Sequence, residues 1–119
     1  MTSIPDRLFA LHEDIRSVIV VDKAGRLVDS RSRAKHPVPK EFAQGLASTW
    51  ISTVGALVER TQDYSGEISF LQIKYSRFHL YGFISKDSYV VLTARTTLQP
   101  DVIDRISASL SPRPLLFTI

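Results

Sequence analysis

The sequence predicts an α+β domain: a five-stranded antiparallel sheet sandwiched by helices, with elements in the order α-β-β-α-β-β-β-α. Apolar residues recur at intervals of three and four in three segments, which is the spacing of a helix face. Five runs rich in β-branched and aromatic residues are typical of strands. The last three runs are separated by gaps of three and four residues, which allow only antiparallel hairpins.

The first half of the chain predicts a helix, a hairpin and a loop. The face of the first helix consists of Ile4, Leu8, Leu11 and Ile15. Ser3 stands where an N-cap is expected. The β-branched run 17–21, the turn 22–25 and the return strand 27–30 form the hairpin. Residues 31–39 are polar, basic and interrupted by two prolines, so we expect a loop there.

The second half predicts a long helix, a three-stranded meander and a last helix. The long helix covers residues 40–63 and ends at Ser65-Gly66, because glycine suits the left-handed C-cap conformation. The meander strands are 68–74, 78–84 and 89–95. Pro100 opens the last helix. Because the middle meander strand is apolar on both faces, the sheet is expected to need cover on both sides.

Size and composition narrow the class of protein. The 119 residues suffice for one domain, which we assign to 1–111, followed by an apolar tail at 112–119. The chain has no cysteine, which excludes disulfides, thiolate zinc sites and thiol catalysis. The N-terminus lacks a signal-peptide pattern, and no apolar run approaches the ~20 residues of a membrane span. We therefore expect a cytoplasmic location.

The net charge of +3 is concentrated in one segment. Residues 26–40 carry five basic side chains against one acid, a local net of +4. Within it, residues 31–40 are a candidate loop for an anionic partner, with His36 inside the loop and the charges on Arg31, Arg33, Lys35 and Lys40. No aromatic residue alternates with these charges to stack on bases, so a solvated loop is favoured over a nucleic-acid interface.

The sequence predicts a protein that is not an enzyme. Of its three histidines, His12, His36 and His79, none has a second histidine or a carboxylate at metal-ligand spacing on the same element. The nucleophile elbow, the phosphate loop and the dinucleotide fingerprint do not occur in the sequence. His79 is expected to be a structural histidine with satisfied hydrogen bonds. No catalytic residue, metal or cofactor is predicted.

The long helix has an apolar side and, opposite it, an unusual side. The face expected to pack on the sheet consists of Phe42, Ala43, Leu46, Trp50, Val54 and Leu57. The opposite arc of small residues consists of Gly45, Ser48, Thr49, Ser52, Gly55 and Ala56. A solvated helix normally carries Lys and Glu there, and two glycines cost ~2 kcal/mol relative to alanine. Small side chains let another backbone come close, so a helix–helix contact is favoured over a merely tolerated weak helix.

The strand 68–74 is a second candidate contact. It is rich in Ile and Phe and has no proline, so at a sheet edge it would invite aggregation. Pairing with the same strand of a second subunit removes that hazard. The candidate residues on this strand are Ile68, Phe70, Gln72 and Lys74.

At this point the chain resembles the roadblock/dynein-light-chain family, a branch of the profilin-like fold, over about residues 4–110. The likeness lies in the element order, in the hairpin 18–27 with its turn Asp22-Lys23-Ala24-Gly25, and in the strand 89–94 leading into an amphipathic helix. The chain is also similar to small archaeal proteins of this type. The longer basic loop and the apolar tail depart from the family and leave the partner's identity open.

The resemblance implies a homodimer that pairs through the strand 68–74 and the helix arc containing Gly45, Ser48, Ser52 and Gly55. Such dimers serve as scaffolds, or as platforms that bind small Ras-like GTPases, without performing chemistry themselves. For the tail, packing within the domain or dimer is expected, with a recruitment peptide as the alternative.

Two other functions stay open. The five-stranded layout also resembles PAS- and GAF-like sensor modules, in which Trp50, Tyr81 and Phe83 would line a small-molecule pocket. The basic segment 31–40 would instead suit an anionic surface or a nucleic acid.

Overall fold

The structure is a computed structural model that describes residues 3–35, 39–85 and 87–110. Its elements are α1 (Ile4–Phe9), β1 (Ile15–Asp22), β2 (Leu27–Ser32), α2 (Lys40–Ser65), β3 (Phe70–Lys74), β4 (His79–Ile84), β5 (Ser88–Ala94) and α3 (Pro100–Leu110). This is the predicted order, and the fold class is confirmed. None of the helices among these residues combines the length and apolarity needed to cross a membrane.

The five strands form one antiparallel sheet in the order β2-β1-β5-β4-β3. The first hairpin and the meander join at its centre, where β1 pairs with β5. Helix α2 carries the chain from β2 at one edge to β3 at the other. Both β2 and β3 therefore have one strand neighbour each among the described residues.

Local side-chain chemistry fixes the first hairpin. The Oδ1 atom of Asp22 accepts hydrogen bonds of 2.9 Å from the main-chain N–H groups of Ala24 and Arg26. These N–H groups, that of Arg26 first, hold the pKa of Asp22 below its usual value. Gly25 has a φ of +88°, a conformation that side chains with a Cβ disfavour. The turn 22–25 therefore forms where the sequence predicts it.

Helices cover both faces of the sheet, as predicted. On one face, α1 and α3 enclose a core of Leu8, Ile15, Val18, Val20, Tyr81, Phe83, Val90, Leu92, Ala94, Leu98, Val102, Ile106 and Leu110. On the other face, α2 covers Ile19, Val21, Leu80 and Val91 with Ala43, Ala47, Trp50 and Val54. Successive residues of β4 alternate between these two cores, which is why the strand is apolar on both sides.

Trp50 of α2 lies in close contact with the sheet. The indole lies directly over Gly82 of β4, where a Cβ atom would stand 1.7 Å from Cζ2 and 2.0 Å from Cη2. Trp50 is buried, and its Nε1 has no hydrogen-bond partner among the described residues. Shape, rather than hydrogen bonding, therefore holds the indole in place.

Several boundaries differ from the prediction. Helix α1 ends at Phe9, and Ile15 begins β1 because it pairs with Ala94 of β5. Strand β2 continues to Ser32, which pairs with Ser17 and takes the first two residues of the expected loop. Strand β3 begins at Phe70, so Ile68 precedes the strand instead of lying in it.

Candidate interaction surface

The β3 edge presents apolar side chains beside main-chain groups that have no outer strand neighbour among the described residues. Phe70 is 36% exposed and Ile73 is 42% exposed. The pairs Phe70–Phe83 and Ile73–Leu80 show that the two side chains point to opposite faces of the sheet. At the turn after β3, the rings of Tyr75 and Phe78 lie 4.9 Å apart, and both are partly exposed.

The opposite edge, β2, is built differently. The pairing of β1 with β2 shifts register between Val20 and Val21, which leaves Val28 as an extra, bulged residue. Asp29 and Arg31 place charges on the same short strand. Bulges and charges are the devices that protect an edge strand from pairing with another chain. Of the two edges, β3 is therefore the one suited to pairing.

The arc of small residues lies on the exposed side of α2. Its four candidate interface residues, Gly45, Ser48, Ser52 and Gly55, are all exposed. A Cβ atom added at Gly45 or Gly55 would meet nothing within 4 Å. This side faces away from the sheet, since the buried stripe of Ala43, Ala47 and Val54 lies on the other side of the helix. Its role in a helix–helix contact stays a prediction.

Part of the α2 face that the sequence assigned to the sheet is exposed instead. Phe42 is 59% exposed, and Leu57 and Tyr64 are exposed as well. At about 100° per residue these three lie within one arc, beside the buried stripe. We call Phe42, Leu57 and Tyr64 the α2 flank. The expectation that Phe42 and Leu57 pack on the sheet was wrong, because alanines 43 and 47 bring the helix down on a narrower stripe.

The α2 flank faces the β3 side of the molecule. On the other side of the stripe, Gln44 donates a 3.0 Å hydrogen bond from Nε2 to the carbonyl of Gly25 and accepts one of 3.2 Å from the N–H of Leu27. That side is therefore turned toward the β1–β2 hairpin. Trp50, at the border of the flank, reaches β4 instead. The flank and the β3 edge thus lie on the same side of the domain.

Two arginines of the basic segment are bound to their own chain. Nη1 of Arg31 lies 3.1 and 3.2 Å from the two carboxylate oxygens of Asp6. Arg33 donates from Nε to the carbonyl of Ile15 at 2.7 Å, and its guanidinium lies 4.6 Å from the ring centre of Phe9. Burial, followed by neighbouring arginines, lowers the pKa of Arg33. These contacts fasten the end of β2 to α1 and β1.

The remaining basic candidates lie apart from those arginines. Lys35 is exposed, and His36 lies outside the described residues. Lys40, at the start of α2, lines an open groove of about 400 Å³ together with residues 27–30 of β2. The structure therefore does not gather the four basic candidates at one site, and binding of an anionic partner there stays a prediction.

A polar cluster stands at the end of β5. Asp14 accepts hydrogen bonds of 2.7 Å from Oγ1 of Thr96 and from Nη2 of Arg95. The Thr96 hydroxyl first, and Arg95 second, lower the pKa of Asp14. The contacts join the start of β1 to the residues after β5, so the cluster is explained by its structural role.

The described residues offer little catalytic chemistry. Residues 3–35, 39–85 and 87–110 contain no group of three His, Asp or Glu side chains placed to hold a metal ion. The Nδ1 atom of His79 is buried without a hydrogen-bond partner in the described part of the chain, which corrects the expectation of a satisfied histidine. Tyr81 and Phe83 lie on the face opposite Trp50, so these three aromatic residues do not line one pocket.

These features define a roadblock-like fold: a five-stranded antiparallel sheet, a long helix on one face and two shorter helices on the other. Among solved structures, the chain is similar to Myxococcus xanthus MglB, with a TM-score of 0.69 and 20% identity over 90% of this chain and 88% of that one. It is similar to a roadblock/LC7 domain from Streptomyces avermitilis, with a TM-score of 0.68 and 13% identity over 90% and 88%.

A third similar structure is the gliding protein MglB from Thermus thermophilus. Its TM-score is 0.66, with 16% identity over 92% of this chain and 90% of that one. At these identities the likeness establishes the fold. No family model matches the sequence, and no curated protein matches it significantly.

Proposed function

We propose that this chain is a non-catalytic homodimeric adaptor or regulatory platform. The observation that carries the proposal is the contrast between the edges: β2 is bulged and charged, whereas β3 pairs in unbroken register and exposes Phe70 and Ile73. An exposed edge strand with apolar side chains invites pairing with other chains, so we expect the folded protein to cover it. A second copy of the same strand provides that cover.

Pairing across a twofold axis places the two β3 strands antiparallel and joins two sheets into one of ten strands. Main-chain hydrogen bonds between the edges give the register, and the contact covers Ile73. Stable interfaces bury about 1,600 Å² in total, more than a five-residue strand can supply alone. The 26-residue helix α2, about 39 Å long, would add its flank with Phe42, Leu57 and Tyr64 to this contact.

The platform follows from this geometry. Two copies of α2 lie side by side and present their small-residue arcs outward, at Gly45, Ser48, Ser52 and Gly55. Small side chains allow a partner's backbone to approach two helices at once. The family resemblance supports a small Ras-like GTPase as the partner.

The test of the dimer is light scattering coupled to size-exclusion chromatography at high micromolar concentration. We expect a mass of twice the 13.4 kDa chain. Ile73→Asp at the β3 edge is expected to give monomers. The matched control is Val28→Asp, because Val28 is an apolar side chain, 61% exposed, on the other edge. A strictly monomeric parent, or equal effects of the two changes, would contradict the β3 dimer.

The test of the platform is separate. Purified dimer is titrated calorimetrically with Ras-like GTPases from the same organism, each loaded with GDP or with a non-hydrolysable GTP analogue. We expect binding to one nucleotide state, weakened by Ser52→Arg, which blocks the arc without touching the core. Binding that Ser52→Arg leaves unchanged would place the partner elsewhere on the dimer.

A further inference from the structure

One face of β3 extends beyond the helices on its side of the sheet. The core beneath α1 and α3 draws its buried strand residues from β1, β4 and β5, ending at Phe83 of β4. Phe70 stacks on Phe83 with ring centres 6.0 Å apart, yet it stays 36% exposed. Gln72 and Lys74 are exposed and follow on the same face. We call Phe70, Gln72 and Lys74 the β3 shelf.

The chain leaves α3 next to this shelf. Leu110, the last residue of α3, is buried, and its carbonyl accepts a 3.2 Å hydrogen bond from Oγ of Ser85. Ser85 directly follows β4, whose last residues pair with the start of β3 through Phe83 and Phe70. Adjacent strands are ~4.8 Å apart. The end of α3 is therefore held beside the Phe70 end of the shelf.

The sequence that follows has the composition of a segment that needs burial. Four of the last five residues, 115–119, are large and apolar, and Pro112 and Pro114 precede them. Prolines do not continue a helix and favour an extended chain. The five residue-to-residue steps from 110 to 115 span up to ~17 Å when extended, which exceeds the width of two strands. So short a tether favours a site on the same chain over one on another molecule.

We propose that residues 115–119 pack on the β3 shelf of their own chain and cover Phe70. The contact uses the face of β3 and leaves its edge open for pairing. It therefore stands or falls independently of the proposed dimer. The proposed contact also explains why the Phe70 ring is partly exposed beside the core: residues 115–119 cover the part of the ring that the core leaves open.

The first test is a thermal double-mutant cycle between the tail and Phe70. Truncation after Ser111 is expected to lower the Tm by several degrees in the parent and by much less in Phe70→Ala, because the shared contact is already lost. Phe78→Ala is the matched control, since Phe78 is 37% exposed but lies at the opposite end of β3. Truncation should lower its Tm as much as in the parent. Additive losses with Phe70 would overturn the proposal.

The second test uses the absence of native cysteine, which makes an engineered disulfide unambiguous. The pair Leu116→Cys with Gln72→Cys is expected to form a disulfide within one chain. The control pair, Leu116→Cys with Ile73→Cys, is expected to lose it, because Ile73 points to the other face. Disulfides that join two chains would overturn packing in cis, and equal yields from both pairs would overturn the shelf as the site.

Discussion

The contact between Trp50 and Gly82 gives the sharpest test of the fold. Replacing Trp50 by alanine empties a buried volume and should cost about 3–5 kcal/mol in the free energy of unfolding. Replacing Gly82 by alanine puts a methyl group 1.7 Å from the indole, whereas carbon atoms normally approach to about 3.5–4.0 Å. The ring must move by about 2 Å, so we expect a loss near the upper end of the overpacking range, about 3 kcal/mol.

The double variant Trp50→Ala with Gly82→Ala tells whether the two losses of stability come from one shared contact or from two independent sites. Without the indole, the methyl group that Gly82→Ala introduces fits, and relief of the glycine penalty returns about 0.5–1 kcal/mol. The double variant should therefore be no less stable than Trp50→Ala alone, which gives an interaction energy of about −3 to −4 kcal/mol. Independent sites add within about 0.3–0.5 kcal/mol.

Urea denaturation at one fixed protein concentration measures these differences. Circular dichroism is the suitable signal, because Trp50 is the single tryptophan and two of the four proteins lack it. Gly45→Ala is the control: its methyl group meets no atom within 4 Å, so it should leave stability unchanged or raise it by up to ~1 kcal/mol. Additive losses, or a Gly82→Ala protein as stable as the parent, would refute the contact.

Three further predictions concern charge and surface. The folded-state pKa of Asp14 is lowered by Thr96, so its contribution to stability is present above the unfolded value of ~3.9 and is lost as the pH falls through the folded value. Asp14→Asn should therefore flatten the drop in the urea midpoint between pH 5 and pH 2. Gly55→Leu should weaken GTPase binding in the same calorimetric titration while the dimer mass and the far-ultraviolet spectrum stay unchanged; equally tight binding would remove the arc from the platform. Neutralising Lys35 and Lys40 should reduce the salt dependence of any heparin binding, and an unchanged slope would refute the electrostatic explanation.

Local patterns were enough to predict the order of the elements. The Asp22 side chain and the positive φ of Gly25 specify the first turn, so the local sequence is sufficient to predict it. The short gaps in the meander likewise leave only antiparallel pairing. The end of α1 was missed because Ile15 fits a helical face as well as a strand. Its pairing with Ala94, far along the chain, decides between the two.

The surfaces were harder to predict because burial depends on distant neighbours. Phe42 and Leu57 continue the apolar face of α2, and a helical pattern does not separate residues that meet the sheet from residues left outside it. Arg31 was counted as an open charge, although Asp6, 25 residues earlier, holds it. The close contact at Gly82 could have been predicted from the sequence, because an isolated glycine in an apolar strand often marks the close approach of another group.

The bulge at Val28 has a consequence for how many chains can join. In polymer chemistry, a monomer with two reactive groups adds further monomers without limit, whereas a monomer with one reactive group stops at a pair. The bulged, charged β2 edge removes one of the two ends of this sheet. A single extra residue in the first hairpin is thereby expected to make the domain monofunctional, so that the proposed pairing through β3 would end at two copies and would not continue into a fibre.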